Sequence, residues 1–216
     1  MFSLTSDEIE EYCEKHSSKE DDILYHLYRE TYQKTLRPRM ISGHIQGLFL
    51  QMISNLKRPK RILELGTFTG YSTICLAKGL SDDGLIYTIE EEPELEYLIK
   101  KYLEKTSFQS KVKLIMGKAL DIIPSLTECW DIIFIDADKM NYLTYYNLLM
   151  PSLADDGILL ADNVLWNGKI LEHTAEDKDT KALSEFNQFV QNDIRVTNVL
   201  LPIRDGIMMV QKKQSQ

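Results

Sequence analysis

From residue 61 onwards, short apolar runs alternate with stretches of helical periodicity, and no other feature of the sequence constrains the fold as strongly. Alternating strands and helices form parallel βαβ units whose helices cover both faces of the sheet, and right-handed crossovers fix the winding. The predicted strands span residues 61–66, 84–90, 111–116, 130–136, 157–162, 196–201 and 207–211. The predicted helices between them span residues 71–80, 93–105, 120–126, 142–153 and 180–192.

The last two predicted strands have a different connection from the others. Only residues 202–206 separate them, a segment that is too short for a parallel crossover. We therefore expect an antiparallel hairpin at the C-terminal end of the fold. The predicted fold class is α/β, a doubly wound and mostly parallel seven-stranded sheet that ends in this hairpin.

Residues 1–57 form a predicted helical N-terminal extension, and residues 58–216 form the α/β core of the same single domain. Thr5 and Glu8 have the spacing of a capping box. A predicted helix at residues 42–57 carries an apolar stripe at helical spacing, made of Ile45, Leu48, Phe49, Met52, Ile53 and Leu56. The N-terminal helices are more apolar than one sheet face requires, which favours a homodimer.

Composition disfavours several classes of protein. A formal net charge of −8 argues against a broad nucleic-acid surface, because phosphate neutralisation needs clustered Lys and Arg. The three cysteines have no metal-type spacing, and reduced, buried thiols at Cys75 and Cys129 fit a cytoplasmic protein. No apolar stretch approaches the ~20 residues of a membrane span, so we expect no membrane partner.

The first predicted strand runs into a glycine-containing segment, ELGTFTGYS, at residues 64–72. Gly66 and Gly70 allow a tight turn and a close approach to a ligand that a Cβ atom would exclude. The dinucleotide motif G-x-G-x-x-G is not matched, because residues 67–69 fill the interval where its middle glycine admits a pyrophosphate. The segment therefore favours a nucleoside cofactor without phosphates and disfavours an NAD-dependent oxidoreductase.

A carboxylate, Glu90, ends the second predicted strand. At this position an acidic side chain can accept hydrogen bonds from both ribose hydroxyls of a nucleoside. The alternative is that Glu90, Glu91 and Glu92 only complement the dipole of the helix that follows. We assign the ribose role to Glu90, which stands directly at the strand end, and the dipole role to Glu91 and Glu92.

Polar side chains follow the fourth and fifth predicted strands, with Asp136 and Lys139 after one and Asp162 and Asn163 after the other. Adjacent parallel strands bring such residues to the edge of the sheet where ligands bind. Two carboxylates and an amide oxygen suit Mg²⁺, whereas zinc prefers His or Cys. Each residue alone fits a helix cap, a turn or a solvated lysine, but their coincidence at neighbouring strand ends favours a site.

Three motifs together resemble those of the cation-dependent O-methyltransferases, the caffeoyl-CoA and catechol group. They are ILELGTFTGYS at residues 62–72, FIDADK at 134–139 and ADNVLWNG at 161–168. The PIRDG turn at 202–206 is also similar, whereas residues 1–40 match poorly. The resemblance implies the Rossmann-like fold of class I methyltransferases, S-adenosylmethionine as the cofactor, and Mg²⁺ or another divalent cation.

The resemblance also implies roles for individual residues. The methionine and sulfonium side of the cofactor would be lined by Ser42, Glu64, Gly66, Thr67 and Ser72, and Asp136 would also contact the cofactor. The ribose and the adenine would be bound by Glu90 and Ala119. The metal ligands would be Asp136, Asp162 and Asn163. Lys139 would be the general base beside a catalytic Asp136, and Asn167 would lie near the substrate. Trp166 could stack on an aromatic substrate or merely pack its loop.

The implied reaction is methyl transfer to a hydroxyl group of a hydroxylated aromatic small molecule, catechol-like or caffeoyl-type. Two vicinal oxygens of the acceptor would chelate Mg²⁺, and Lys139 would take the proton. Some bacterial relatives methylate a hydroxylated wobble uridine in tRNA, an alternative that the acidic charge of this chain disfavours. A non-catalytic cofactor-binding protein is a further alternative, and the intact set of acidic, amide and lysine residues argues against it.

Overall fold

Seven strands form one sheet in the computed structural model, which describes residues 6–172 and 177–213. The strands are β1 (Arg61–Leu65), β2 (Leu85–Glu90), β3 (Val112–Met116), β4 (Trp130–Ile135), β5 (Leu153–Asp162), β6 (Val196–Leu201) and β7 (Ile207–Lys212). Their order across the sheet is β3-β2-β1-β4-β5-β7-β6. Strands β1 to β5 are parallel, and β7 runs antiparallel to both β5 and β6. The predicted fold class, including its C-terminal hairpin, is confirmed.

Helices precede the sheet and connect its strands. They are α1 (Asp7–Lys15), α2 (Asp22–Lys34), α3 (His44–Lys57), α4 (Tyr71–Ala77), α5 (Glu96–Leu103), α6 (Ala119–Ile122), α7 (Tyr142–Leu149) and α8 (Lys178–Asn192). The Asp21 carboxylate caps α2 by accepting from the Ile23 N–H, and Asp177 caps α8 in the same way. None of the helices in the described part of the chain has the length and apolar character needed to cross a membrane.

Each face of the sheet is covered by its own apolar core, because successive side chains of a strand point to opposite faces. Leu63 of β1 faces one core, where Tyr142 of α7 and Phe186 of α8 pack. Ile62, its neighbour along β1, faces the second core together with Leu50 of α3. Full burial of such a side chain stabilises the fold by about 1.5–3 kcal/mol. Helices α2 to α5 therefore cover one face of the sheet, and α7 and α8 cover the other.

Helix α3 buries a different face from the one that its apolar residues predict. Gln46, Gly47, Leu50 and Ser54 are buried, whereas Leu56 of the predicted stripe is 82% exposed. Close packing of α3 against α4 explains the difference, because a Cβ atom on Gly47 would lie 2.6 Å from a ring carbon of α4. Small residues occupy the closest contact between these helices, so the most buried side of α3 is not centred on its apolar stripe. Of that stripe, Phe49 and Ile53 are partly buried and pack against the core.

The helix predicted at residues 142–153 ends earlier than its apolar pattern indicates. Helix α7 ends at Leu149 and a 3₁₀ turn follows at Met150–Ser152, because Pro151 cannot continue an α-helix. Strand β5 then begins at Leu153, a residue that the sequence pattern placed in the helix. The fifth strand is therefore longer than predicted at the end that lies away from the acidic residues.

The expectations for the N-terminal part and for the cysteines have mixed outcomes. Helices α1 to α3 confirm the helical character of the described residues before β1, but the predicted cap at Thr5 lies outside the described residues. Cys75 is buried as predicted. Cys129 is exposed, because it lies in the loop ahead of β4 rather than in the strand. The division of one domain into an extension and a core at residue 57 stays a prediction.

Candidate active site

The glycine-containing loop starts where β1 ends, and it touches the end of β4. Gly66 has a φ of +92°, which lies in the left-handed region that favours glycine. A Cβ atom at Gly66 would lie only 1.9 Å from the main-chain oxygen of Asp136. The N–H groups of Gly66 and Thr67 donate to the Ile89 carbonyl of β2, at 3.0 and 3.2 Å. The loop is therefore closed against both strands that flank β1.

Glu64, in β1 just before this loop, is a fully buried carboxylate. Its Oε2 accepts hydrogen bonds from the hydroxyls of Thr73 and Thr88, at 2.5 and 2.6 Å. Its Oε1 is buried and has no hydrogen-bond partner among the described residues. Burial raises the pKa of Glu64 to about 7. Because an unsatisfied buried oxygen costs about 1–3 kcal/mol, a hydrogen-bond donor of a bound ligand fits at this atom.

Glu90, at the end of β2, holds the same loop from the other side. Its Oε2 accepts from the Phe68 N–H at 2.6 Å, and its Oε1 accepts from the Glu92 N–H at 2.9 Å. Phe68 has a φ of +51°, an uncommon conformation for a bulky residue, and the Glu90 carboxylate helps to stabilise it. Burial raises the pKa of Glu90. Each carboxylate oxygen keeps a second lone pair, so these bonds leave room for the predicted ribose contact.

The remaining residues predicted to bind the cofactor are spread over three elements. Ser72 is buried in the first turn of α4, and Ser42 is buried just before α3. Ala119 is the first residue of α6. Two residues before it, the Gly117 N–H donates to the Glu90 carbonyl at 2.8 Å, which ties the start of this helix to the end of β2. Ala119 therefore follows a segment that is bonded to the residue assigned to the ribose.

The predicted metal ligands follow two strands that pair directly. Ile135 of β4 is the register partner of Ala161 in β5, so Asp136, just after β4, and Asp162, the last residue of β5, lie at the same edge of the sheet. Asp162 is 1% exposed, and its Oδ1 accepts from the Asn163 N–H at 2.8 Å. Burial, together with the nearby charge of Asp136, raises the pKa of Asp162 to about 6. The two carboxylates thus share a corner that favours a positive charge.

The chemistry of the available ligands limits the metals that suit this corner. Within residues 6–172 and 177–213, no three His, Cys, Asp or Glu side chains are grouped as a metal site. The predicted set has two carboxylates only, and its third member is the amide of Asn163, a residue with a φ of +60°. A set made of oxygen atoms suits Mg²⁺ or another hard cation and disfavours zinc.

Lys139 lies between the acidic corner and a buried tyrosine. Its Nζ donates to Asp136 Oδ1 at 3.0 Å and to Tyr142 Oη at 2.7 Å. Tyr142 is fully buried, and its hydroxyl donates to the main-chain oxygen of Asp162 at 3.0 Å. The Lys139 side chain itself is only 10% exposed. The amine is therefore held at the ends of both strands, where it can exchange a proton with a group bound beside Asp136.

The loop after β5 contains Trp166 and Asn167, and both have a positive φ. The Asn167 N–H donates to Asp205 Oδ1 at 2.5 Å, and the Leu165 N–H donates to the Asp205 carbonyl at 2.9 Å. Asp205 is buried in the turn between β6 and β7, so this turn holds the loop in place. Trp166 packs against the apolar core on the α7 side. Trp166 therefore packs its loop against the core, and stacking of its ring on a substrate stays a prediction.

The residues that bond to this site without having been predicted as part of it include a glutamine of α3 and an arginine of the turn between β6 and β7. The Gln46 Nε2 donates to Asp162 Oδ2 at 2.7 Å, and Arg204 Nη1 donates to Gln46 Oε1 at 3.1 Å. For Arg204 the signal was its place in the PIRDG turn, which resembles the family but received no role. For Gln46 the available signal was a polar residue next to a glycine inside an otherwise apolar helix.

The order of the strands, the antiparallel β7 between β5 and β6, and a glycine loop unsuited to pyrophosphate together define the Rossmann-like fold of methyltransferases. The crystal structure of a Podospora anserina methyltransferase with bound S-adenosylhomocysteine has the same fold, with a TM-score of 0.88 and 28% sequence identity. The match covers 96% of this chain and 95% of that one.

A sequence model of the O-methyltransferase family matches residues 14–213. A catechol O-methyltransferase of Niastella koreensis is 35% identical over 160 residues, which cover 72% of this chain and 72% of that protein. A caffeoyl-CoA O-methyltransferase of Eucalyptus gunnii is 32% identical over 188 residues, which cover 81% of this chain and 75% of that protein. The chain belongs to the O-methyltransferase family, and it is an S-adenosylmethionine-dependent enzyme.

Replacing Glu64 with glutamine is expected to change how the stability of the ligand-free protein depends on pH. The pKa of Glu64 rises on folding from 4.5 to about 7. The unfolded chain therefore releases this proton at lower pH, and stability falls as pH rises through that window, by roughly 3 kcal/mol. Glutamine does not titrate, so the free energy of unfolding of Glu64→Gln relative to the unchanged protein should increase from pH 4.5 to pH 7.5. Denaturant titrations at several pH values measure this difference.

Glu30→Gln serves as the control of opposite sign. Hydrogen bonds from Lys101 and Tyr102 lower the pKa of Glu30, so its charge stabilises the fold above the unfolded-state pKa. The relative stability of Glu30→Gln should therefore fall as the pH rises towards 4.5, and it should not increase between pH 4.5 and pH 7.5. A flat or falling difference for Glu64→Gln would contradict the assignment of a buried, easily protonated carboxyl group at residue 64.

Proposed function

We propose that the chain is a Mg²⁺-dependent O-methyltransferase that acts on a hydroxyl group of a catechol-like or caffeoyl-type small molecule. One observation carries this function: Lys139 Nζ lies 3.0 Å from Asp136 Oδ1, at the paired ends of β4 and β5. An amine, two carboxylates and the cofactor loop thus share one corner of the sheet. The relatives named catechol and caffeoyl-CoA O-methyltransferase support this class of acceptor.

Asp136, Asp162 and Asn163 would hold the cation. The fit rests on their chemistry, since two neighbouring carboxylates, one of them 1% exposed, favour a bound cation over unneutralised charge. When bound, Mg²⁺ would fix the acceptor oxygens and lower their pKa. The Asn163 N–H already holds Asp162 Oδ1 at 2.8 Å. A carboxylate that is held in advance needs little reorganisation when a ligand arrives.

The glycine loop and the acids around it would bind S-adenosylmethionine, which supplies the methyl group. Glu64 Oε1, buried and without a hydrogen-bond partner among the described residues, would accept from a donor group on the methionine side. Glu90 would accept from the ribose hydroxyls with its remaining lone pairs. The other residues assigned to the cofactor are Ser42, Gly66, Thr67, Ser72, Ala119 and Asp136. Because these residues do no covalent chemistry, most of the acceleration should come from positioning and desolvation.

Lys139 would act as the general base. The proton would pass from the acceptor hydroxyl oxygen to Lys139 Nζ, and the oxygen would then attack the methyl carbon in line. The new C–O bond would form as the bond from that carbon to the sulfonium sulfur breaks, and S-adenosylhomocysteine would be the leaving group. Asp136 and Tyr142 position the amine, at 3.0 and 2.7 Å from Nζ. A base within hydrogen-bond reach of the proton typically accelerates a reaction by about 10²- to 10⁴-fold.

Asn167 and Trp166 would line the acceptor side of the site. Their loop is anchored to Asp205, which accepts from the Asn167 N–H. Trp166 offers an aromatic face of the kind on which a flat acceptor stacks. The net charge of −8 counts against tRNA as the acceptor, because binding of a polyanion is favoured by clustered basic residues.

A homodimer of single-domain chains, each spanning residues 1–216, is part of the proposed function. Support comes from large apolar side chains that α3 leaves in solvent, with Leu56 82% and Met52 61% exposed. Leu36, after α2, is 99% exposed. Apolar surface of this kind is commonly covered by a partner. Sedimentation of the purified protein should then give twice the mass of one chain.

A methyl-transfer assay tests the proposed reaction. The purified protein is incubated with labelled S-adenosylmethionine and either a panel of catechols and caffeoyl-type acceptors or bulk tRNA, in Mg²⁺ or in EDTA. We expect label in the small phenolic acceptors, no label above background in EDTA, and recovery when Mg²⁺ is restored. Full activity in EDTA would contradict the metal mechanism, and label in tRNA alone would contradict the acceptor class.

A further inference from the structure

Gln46 is a fully buried amide that none of the three motifs contains. It lies in the first turn of α3, 116 residues from Asp162 in the chain, and its Nε2 donates to Asp162 Oδ2 at 2.7 Å. Burying an amide without a hydrogen bond costs about 1–3 kcal/mol in proteins. A polar residue at this position is therefore retained only where its bonds offset that cost, and one of those bonds reaches the carboxylate proposed to hold a metal.

Arg204 determines which way the Gln46 amide points. Arg204 lies in the turn between β6 and β7, and its Nη1 donates to Gln46 Oε1 at 3.1 Å. The same atom donates to the carbonyl of Ile41 at 2.8 Å and to that of Ser42. A guanidinium group can only donate hydrogen bonds, so it must face the amide oxygen. The amide nitrogen is then left facing Asp162, which fixes an orientation that is otherwise ambiguous for glutamine.

The two bonds to Asp162 hold its carboxylate group at both oxygens. Gln46 binds Oδ2 at 2.7 Å, and the Asn163 N–H binds Oδ1 at 2.8 Å. Rotation of the carboxylate would break at least one of these bonds, and in a buried site that leaves an unsatisfied donor. Arg204, Gln46 and Asp162 thus form a chain of donors and acceptors with one direction, from the hairpin turn through α3 to the end of β5.

We propose that Gln46, oriented by Arg204, is a positioning residue that sets the Asp162 carboxylate for the divalent cation. This role rests on the proposed metal site at Asp136, Asp162 and Asn163. Removing a residue that hydrogen-bonds to a metal ligand commonly lowers metal affinity or activity by about 10- to 100-fold. These hydrogen bonds also make α3 part of the site, although this helix contributes no proposed metal ligand.

Binding of Mn²⁺ by the ligand-free protein tests this role without relying on turnover. Gln46→Leu keeps the size of the side chain and removes both polar atoms, and isothermal titration should show a Kd about 10- to 100-fold higher. Arg204→Met leaves the amide free to turn and should raise the Kd by a smaller factor, about 3- to 10-fold. In the double variant the Arg204 change should add nothing, because its effect passes through Gln46. The KM for Mg²⁺ should rise in parallel.

Ser54→Ala is the matched control. Ser54 is also buried on α3, and its hydroxyl donates to the Leu76 carbonyl at 2.6 Å, away from the acids. This variant should lower the melting temperature and leave the Mn²⁺ Kd within twofold of the unchanged protein. If Gln46→Leu does not fold, the Arg204→Met variant provides the test. An Mn²⁺ Kd of Arg204→Met within twofold of the unchanged protein would then overturn the positioning role.

A comparison with Asp162→Ala separates this role from the metal site itself. If Asp162→Ala abolishes Mn²⁺ binding while Gln46→Leu leaves the Kd unchanged, the positioning role is wrong and the metal site stands. If the unchanged protein does not bind Mn²⁺, or if Asp162→Ala binds it equally well, both the metal site and the role of Gln46 are wrong. A raised Kd in Gln46→Leu together with lost binding in Asp162→Ala supports both.

Discussion

Asp162→Ala is expected to lower kcat/KM for a catechol by about 10²- to 10³-fold, because a metal contributes several kcal/mol and each 1.36 kcal/mol is a factor of ten. The Asp162 carboxylate is 1% exposed and lies near Asp136, so solvent does not compensate for the loss of its charge. The variant should also lose the stabilisation that Mg²⁺ gives by binding the folded state, about 2.7 kcal/mol at a hundred times the Kd. Initial rates and melting curves with Mg²⁺ and with EDTA measure both effects.

Asp156→Ala provides a carboxylate control within the same strand. Asp156 lies towards the opposite end of β5, its side chain is 70% exposed, and its Oδ2 is 2.5 Å from Lys57 Nζ. Its carboxylate is exposed and lies away from Asp136 and Asp162, so its rate and its response to Mg²⁺ should match those of the unchanged protein. If Asp162→Ala remains as active as Asp156→Ala, and its melting temperature still rises with Mg²⁺, the ligand role of Asp162 is wrong.

The placement of the acids could be predicted because the rule that governs it is local. Asp136 and Asp162 each follow a run of apolar residues, and parallel strands end at a common edge. The register of β4 and β5 then puts Ile135 beside Ala161, one residue before each acid. The positions of the predicted strands in the sequence were therefore enough to place Asp136 and Asp162 together, and the packing of the helices was not needed for this prediction.

Gln46 and Arg204 could not be found in this way, because their contacts cross most of the chain. Gln46 is 116 residues from Asp162 and 158 residues from Arg204. The face that α3 buries depends on how closely it approaches α4, and that distance is set by Gly47 and Ser54 rather than by large apolar residues. Periodicity counts apolar side chains, so it indicated a side of the helix that is only partly buried and left Gln46 unassigned.

The glycine loop shows the same limit in another form. The sequence predicted a close approach at Gly66, but the atom approached belongs to Asp136, 1.9 Å from where a Cβ would lie. Likewise Glu90 was assigned to a ligand, and in the ligand-free fold its two oxygens accept from the Phe68 and Glu92 N–H groups. The residue types at Gly66 and Glu90 predicted that these positions belong to the site. The atoms that they contact lie in the main chain of loops, and loops have no repeating sequence pattern from which such contacts can be predicted.

Lys139→Met is expected to lower kcat by about 10²- to 10⁴-fold, the usual contribution of a general base. Nζ donates to Asp136 and Tyr142 at 3.0 and 2.7 Å, which holds the amine at the ends of β4 and β5. The rate of the variant should rise with pH between 7 and 9, because the acceptor hydroxyl then loses its proton to solvent. Binding of S-adenosylmethionine should change little, since Lys139 has no predicted contact with it. Single-turnover rates across this pH range, together with calorimetry, measure both quantities.

Two further variants separate the base role from charge and from packing. Lys139→Arg keeps a cation beside Asp136 but cannot accept the proton, because a guanidinium group stays protonated. Its kcat should fall as far as that of Lys139→Met, and retained activity would mean that the charge alone suffices. Lys113→Met controls for packing. Lys113 Nζ donates to the Tyr87 hydroxyl at 2.7 Å, as Lys139 does to Tyr142. It lies 4.4 Å from the Tyr87 ring centre, and the corresponding distance for Lys139 and Tyr142 is 4.8 Å. Because Lys113 lies on β3 away from the acids, Lys113→Met should keep kcat within about twofold, a change that corresponds to less than 1 kcal/mol.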